Sequence, residues 1–245
     1  MAAITMISLI ATACSKQPTN YVVDKAIVPL ESLMFTDQNE IQISINVDQN
    51  ISPYGMTTFF SLNSNFHKNY IGEVYIGGQK LNFSTPQNVY GITTNDATLA
   101  GKEKMFFGKT LEVKAGPTFA ASIYSPNPID CKFGEETSFS KSNGIDVTWT
   151  GDVQSMGTMI VALQFNPTTW KNLELFPAYN QMISKYYTVR EGDQHFKIPS
   201  ADLALLPTGG MPEIHLGRAS SYRAPNGIKV AAYCAAHFLG KLLKN

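Results

Sequence analysis

The alternation of apolar and polar residues predicts β-strands along most of the chain. Residues 41–47 alternate without a break, which is the pattern of a strand with one buried face. That face carries Ile41, Ile43, Ile45 and Val47. Residues 159–165 are apolar at nearly every position, which predicts a strand covered on both sides. Strands of this kind, separated by turn residues, favour an antiparallel sandwich over a parallel α/β sheet.

One tight turn stands out between two of these strands. Gly77 and Gly78 lie between Glu73–Ile76 and Gln79–Phe83, and two glycines supply the positive φ angles of a two-residue hairpin. One helix is predicted, over Ala178–Tyr187. Further short strands are predicted at Thr57–Leu62, Val89–Thr93, Met105–Phe107, Thr110–Lys114 and Phe119–Tyr124.

A change in composition predicts a domain boundary. The segment between Ser125 and Asn143 is rich in Pro, Ser and charged residues. We therefore predict an all-β fold of two antiparallel β-sandwich domains, the first over 29–130 and the second over 144–245. Residues 131–143 form the predicted linker.

The N-terminus carries an export signal. The apolar run from Ala2 to Ala13 is too short to cross a bilayer as a helix, and it ends in small residues. Ile10–Cys14 resembles the lipobox of bacterial lipoproteins, which implies cleavage after residues 1–13 and lipidation of Cys14. Residues 14–28 would then be a flexible tether. An ordinary signal cleaved after Ala13, with Cys14 left as a free thiol, is the alternative.

Charge and cysteine content narrow the function classes. The 245 residues include 19 basic and 19 acidic side chains, so the chain lacks the basic footprint of a nucleic-acid-binding protein. Hydrophobic residues make up 44% of the chain, enough to bury one or two cores. Cys131 and Cys234 are a possible disulfide pair in an oxidising compartment, and a buried, unpaired Cys234 is the alternative.

Known catalytic motifs are missing from the sequence. There is no G-x-S-x-G elbow, no H-E-x-x-H helix, and no Walker or Rossmann glycine pattern. The four histidines are His67, His195, His215 and His237, and none has metal-ligand spacing to another His or Cys. We predict no enzyme, no catalytic residue, no metal and no cofactor, unless residues distant in sequence converge in space.

Three aromatic residues are candidates for ligand binding. Trp170 lies in a polar setting, and Tyr186 and Tyr187 are adjacent. Exposed rings of this kind can stack on the apolar face of a sugar. The structural alternative is that Trp170 folds over the end of the sandwich and that one tyrosine points inward. Trp149 alternates in phase with Ile145 and Val147, which predicts a core position.

The second half of the chain resembles an immunoglobulin-like sandwich. The likeness rests on Gly144–Trp149, Ile198–Leu203, Leu216–Arg218 and Val230–Tyr233, with a looser likeness over 30–125. This arrangement is common in uncharacterised surface lipoproteins of gut-type Bacteroidetes.

That resemblance implies a location and a class of function. It implies a non-enzymatic lipoprotein of the cell envelope, at the outer membrane or cell surface, that acts in binding, adhesion or surface assembly. The alternative is a glycan-binding accessory of a polysaccharide-uptake system. The expected partners are the membrane, through the lipid anchor, and a surface protein or glycan.

Overall fold

The computed structural model is built mainly of β-strands, with a few short helices. It describes residues 43–52, 55–64, 72–84, 89–93, 101–134, 138–152, 154, 157–176, 181–225, 227–239 and 241–244. The strands in chain order are β1 Ile43–Ser52, β2 Gly55–Ser64, β3 Val74–Ile76, β4 Gln79–Lys80, β5 Asn82–Ser84, β6 Val89–Thr93, β7 Lys109–Ala115, β8 Phe119–Ser125, β9 Cys131–Phe133, β10 Ser138–Ser140, β11 Ile145–Trp149, β12 Thr158–Phe165, β13 Ile183–Arg190, β14 His195–Ile198, β15 Glu213–Arg223, β16 Lys229–Phe238 and β17 Leu242–Lys244. The short helices are η1 Glu103–Phe106, α1 Trp170–Leu175, η2 Glu191–Asp193 and α2 Ser200–Leu203.

Eight strands form the main sheet, in the order β13-β12-β15-β16-β1-β2-β6-β5. β1 lies inside it, and Ile43, Ile45 and Val47 are buried as predicted. The expectation of only one buried face is wrong, because Ser44 and Asn46 on the other face are buried as well. β12 is buried along nearly its whole length, which confirms the strand predicted to be covered on both sides.

The first and last long strands among the described residues are neighbours. β1 pairs with β16 in parallel, from Ile43 opposite Val230 to Ile51 opposite Phe238, whereas the other pairings of this sheet are antiparallel. Strands from both sides of residues 131–143 therefore share one sheet. Those residues also contribute β9 and β10 to smaller sheets.

The remaining strands form three smaller sheets, with orders β4-β3-β7-β8, β14-β11-β9 and β10-β17. β8 lies against β15 and β16 of the main sheet. Buried side chains from all four sheets join one hydrophobic cluster. The all-β, mainly antiparallel class is thus confirmed. The predicted hairpin is confirmed too, with Gly77 at φ 56° and Gly78 at φ 80°, although its second strand divides at Leu81 into β4 and β5.

Two local predictions are wrong. Met105–Phe107 is not a strand; the 3₁₀ helix η1 turns Phe106 inward to stack on Phe60, with ring centroids 5.3 Å apart. The helix predicted over Ala178–Tyr187 is also wrong where the structure describes it, because β13 begins at Ile183 and pairs along β12. Pairing with a buried strand outweighs the weak helical preference of this segment. Residues 177–180 lie outside the described residues.

Candidate functional site

An open cleft of about 1020 Å³ lies at one end of the main sheet. Its walls come from the end of β1, the start of β2, the start of β15 and the end of β16. These strand ends meet because β1 runs parallel to β16 and antiparallel to β2, while β15 runs antiparallel to β16. The register of the sheet, which is fixed by hydrogen bonds, therefore sets the position of the cleft side chains that these strands carry.

Two histidines face each other across β15 and β16. His215 is directly opposite His237 in the pairing, so both side chains emerge from the same face of the sheet. Their rings are perpendicular, with centroids 4.5 Å apart, and the two Nδ1 atoms are in contact. His215 is buried, whereas the side chain of His237 is 29% exposed. Burial lowers the pKa of His215 and favours its neutral form.

Each histidine has a carboxylate beyond its outer nitrogen. Glu213 Oε2 lies 3.5 Å from His215 Nε2, and Asp48 Oδ1 lies 3.6 Å from His237 Nε2. The four side chains thus form a row in the order Glu213, His215, His237, Asp48, which we name the histidine row. It spans three neighbouring strands and lines the cleft.

The rest of the cleft combines apolar and uncharged polar groups. The start of β2 presents Met56, which is 58% exposed, and Phe59, which is 40% exposed. Asn50 and Thr57 also line the cleft. Among the lining residues that the structure describes there is no Lys or Arg, so the two carboxylates of the histidine row set the sign of the local charge.

A second polar cluster lies on the opposite face of β15. Arg218 is buried, and its Nη1 lies 3.1 Å from Glu191 Oε1 and 3.8 Å from Asp152 Oδ2. Its Nη2 donates a hydrogen bond to the Thr150 carbonyl at 2.9 Å. Because residues 215 and 218 of a strand point to opposite sides, this cluster and the histidine row do not share a face. We name it the arginine cluster.

Neighbouring elements complete the arginine cluster with hydrogen bonds. Tyr124 Oη donates to Asp152 Oδ1 at 2.8 Å, and the backbone N–H of Asn127 donates to Asp152 Oδ2 at 2.7 Å. Burial raises the pKa of Tyr124, and the bond to Asp152 adds to that effect. The Asp152 amide donates to Glu191 Oε1 at 3.0 Å. This arrangement ties β8, β15 and the segment after β11 together, which is a structural role.

The predicted aromatic residues have different surroundings. Tyr186 is 46% exposed and accepts a hydrogen bond from Gln164 Nε2 at 3.2 Å. Tyr187 points inward, packs on Phe196 with centroids 4.8 Å apart, and donates to Asp202 Oδ2 at 2.7 Å. One tyrosine of the pair therefore points inward and the other outward, as the structural alternative predicts. The two rings do not form one platform.

The other predicted aromatics lie at the ends of short elements. Trp170 begins α1, and the preceding Thr169 lines the cleft; the side chain of Trp170 is outside the described part of the structure. Trp149 is buried and its Nε1 donates to the Glu191 carbonyl at 3.0 Å, which confirms its core position. The predicted lipidation residue Cys14 also falls outside the described residues.

The two described cysteines are free thiols. Cys234 is fully buried on β16, which agrees with the buried, unpaired alternative, and burial raises its pKa to about 12. Burial likewise raises the pKa of Cys131 to about 12. Both thiols are therefore protonated at neutral pH.

The described residues lack two kinds of feature, a metal-binding cluster and a membrane-spanning helix. They hold no group of three or more His, Cys, Asp or Glu side chains arranged to bind a metal. Within the same residues, no helix has the length and apolar character needed to span a membrane.

The sequence did not reveal the histidine row. His215 and His237 are 22 residues apart, and Asp48 comes from the other end of the chain. The only available signal was that residues 215 and 237 lie in apolar segments that predict strands. Their juxtaposition depends on strand pairing and register, which spacing does not encode.

Comparisons with known proteins add little to this description. No protein family matches the chain, and no curated protein matches it. The crystal structure of the FN1–FN3 domains of chicken CNTN1 is similar at 12% identity and a TM-score of 0.27, over 82% of this chain and 68% of that one. A likeness at this level carries no argument, so the all-β class rests on the strands themselves.

Proposed function

We propose that the protein is a non-enzymatic, lipid-anchored binding protein of the cell envelope, acting in binding, adhesion or surface assembly. The observation that carries the proposal is the open cleft at the end of the main sheet. Ligand sites typically combine apolar walls with a few converging polar groups on a rigid scaffold. Here exposed Phe59 and Met56 supply the apolar part, and the histidine row supplies the polar part.

The location part of the proposal rests on the N-terminal segment. An apolar run ending in Ala11-Thr12-Ala13-Cys14 supports export and lipidation at Cys14. Labelling cells with a radioactive fatty acid tests this directly. The wild-type chain should take up label and sediment with membranes, and Cys14→Ser should lose both properties. Cys131→Ser is the matched control and should retain both; label retained by Cys14→Ser contradicts the anchor.

A glycan ligand is the second candidate, and the composition of the cleft favours it. The exposed ring of Phe59 is a surface on which a sugar can stack, and Asp48, Asn50 and Thr57 offer hydrogen-bonding groups nearby. This location differs from the Tyr186 surface predicted from the sequence. Because the described lining has carboxylates and no Lys or Arg, neutral or amino sugars fit it better than uronic acids.

Calorimetric titration of the full-length chain in mild detergent tests the glycan candidate. The panel should contain neutral, amino and acidic oligosaccharides, titrated in buffer with EDTA. We expect saturable binding of a neutral or amino sugar, weakened at least about tenfold by Phe59→Ala, the loss of one good apolar contact. Tyr186→Ala is the matched exposed-aromatic control and should bind normally.

The variants also separate the possible sites. Loss of binding in Tyr186→Ala alone would move the site to the sequence-predicted surface. Loss in Trp170→Ala together with Phe59→Ala would extend the cleft to the start of α1. Absence of heat with every sugar would remove the glycan candidate and leave a protein partner for the cleft.

A further inference from the structure

We propose that the start of β2, at Gly55–Phe59, pairs with an extended segment of a partner protein, and that this segment places a basic side chain over the cleft. We name this stretch the β2 edge. The inference names the partner for the binding role proposed above and rests on that role. It is carried by the strand pairing of β2 and by the acidic groups beside it.

The β2 edge is paired on one side only in the part of the chain that the structure describes. β1 pairs with β2 along the whole strand, whereas β6 pairs with it only at Ser61–Ser64. All the residues of Gly55–Phe59 are exposed. Because successive side chains of a strand point to opposite faces, both faces of this stretch are accessible. The backbone N–H and C=O groups directed away from β1 are thus available to another strand.

The outermost strands of the main sheet differ from the β2 edge. β13 contains Lys185, whose side chain is 44% exposed, and ends at Arg190. β5 has only three residues. Charged side chains and short strands are usual means by which proteins prevent association through a sheet edge. The β2 edge contains no charged residue and no proline, so it is the stretch of this sheet best suited to accept a strand.

The groups beside the β2 edge select the chemistry of the added strand. Asp48 is directly opposite Phe59 in the pairing, and Asn50 is opposite Thr57, so these four side chains share one face. Glu213 adds a second carboxylate to the cleft, and the described lining holds no Lys or Arg. A strand that carries Lys or Arg on its cleft face therefore complements the charge of this region.

A long basic side chain can reach the nearer carboxylate. Neighbouring strands lie about 4.8 Å apart, so a strand added to β2 would lie about 10 Å from the backbone of β1. A side chain that crosses this distance towards Asp48 passes over Phe59. The exposed ring of Phe59 can contact both the apolar stem and the cation of such a side chain. On the other face, exposed Met56 favours an apolar or β-branched neighbour.

Calorimetry of the full-length chain in mild detergent tests the pairing with defined peptides. The probe is a seven-residue peptide in which Lys alternates with Thr, with both ends blocked. One control peptide has Glu in place of Lys. The other is the Lys peptide methylated at every backbone nitrogen, which keeps the charge and removes the N–H donors. We expect one Lys peptide to bind per chain, the Glu peptide to bind at least about tenfold more weakly, and the methylated peptide not to bind.

Variants of the chain test the charge complementarity. Asp48→Asn should weaken binding of the Lys peptide by roughly tenfold, because one of the two carboxylates of the cleft is lost. Glu112→Gln, an exposed carboxylate on β7, is the matched control and should bind normally. Equal binding of the methylated peptide would reduce the interaction to charge attraction, and equal binding of the Glu peptide would exclude a basic partner. Either result overturns the proposal, as does the absence of binding by the Lys peptide.

Hydrogen exchange locates the bound peptide. The Lys peptide should slow amide exchange in Gly55–Phe59 and leave exchange in β13 unchanged. Slower exchange in β13 alone would place the peptide on the other edge and overturn the proposal. Sedimentation of the chain without peptide tests a second copy as the occupant. A dimer with slowed exchange in Gly55–Phe59 would mean that this stretch pairs with itself, which overturns the assignment of a basic partner.

Failure of this inference can be distinguished from failure of the proposed function. If a sugar binds in the cleft and the Lys peptide does not bind, the binding role stands and the strand pairing falls. If neither the sugars nor the Lys peptide bind, both fall. The membrane anchor is tested separately through Cys14→Ser, and its loss would change neither titration.

Discussion

The histidine row and the arginine cluster both combine basic and acidic side chains, and they lie on the two faces of β15. The histidine row lines an open cleft, whereas the arginine cluster is buried. In the arginine cluster, Arg218 is buried between Glu191 and Asp152, and hydrogen bonds from neighbouring elements close around them. In the histidine row, the groups meet at ion-pair distance and line an open cleft. Ionic groups enclosed with partners hold elements together, whereas those beside a cleft can exchange a partner for a ligand.

The largest effect should come from removing the cation of the arginine cluster. Arg218→Met leaves the Asp152 and Glu191 carboxylates buried without their positive partner. We expect a loss of about 3–5 kcal/mol in the free energy of unfolding, the usual cost of breaking a buried ion pair. Urea denaturation of Arg218→Met and of Arg223→Met, an exposed arginine on the same strand, gives the comparison. A loss below about 1 kcal/mol in Arg218→Met contradicts a structural cluster.

A smaller effect should come from one acceptor of that cluster. Asp152→Asn weakens the bonds from Tyr124 and from the Asn127 amide. We expect a loss of about 1–3 kcal/mol in the free energy of unfolding, because a buried donor then lacks a good acceptor. Urea denaturation measures it, and Tyr124→Phe should cost less, at about 1 kcal/mol. Equal losses in the two variants would mean that Asp152 acts only through Tyr124.

The histidine row should make stability depend on pH. The pKa of His215 is lowered from 6.5 in the folded chain, so the unfolded chain binds the proton more readily. Unfolding is therefore favoured as the pH falls below that value, and stability is regained as the pH rises. Urea midpoints in EDTA at about pH 7.5 and pH 5.5 should differ in this direction. His215→Gln should reduce this difference between the two urea midpoints. An unchanged difference would mean that other groups cause the pH dependence.

The smallest effects on stability should come from the exposed wall of the cleft. Phe59→Ala, at an exposed position, and His237→Gln, at a half-buried one, should each change the free energy of unfolding by about 1 kcal/mol or less, because neither side chain belongs to the buried core. The same urea measurements test this. A loss above about 2 kcal/mol in either variant would mean that the cleft is held together by these groups, as the arginine cluster is.

The sequence predicted those parts of the fold that depend on local pattern. The Gly77-Gly78 turn and the burial of β12 follow from residue type and spacing alone, and both are confirmed. β13 was missed because its pairing with β12 overrides a weak local preference.

The candidate site could not be predicted, because it depends on contacts between distant strands. No local pattern places Asp48 beside His237 or His237 opposite His215. A slip of one residue in either pairing would send one of these side chains to the other face of the sheet. The sequence identified residue types that can bind ligands and left their convergence open.

The parallel pairing of β1 with β16 has a consequence for how the chain folds. Ile43 pairs with Val230, a separation of 187 residues (230 − 43). Pairings between such distant residues slow folding, because a long loop must close before any contact repays its entropy. The main sheet cannot be completed until residue 238 has left the ribosome. The growing chain therefore lacks this central strand pair until β16 has been synthesised.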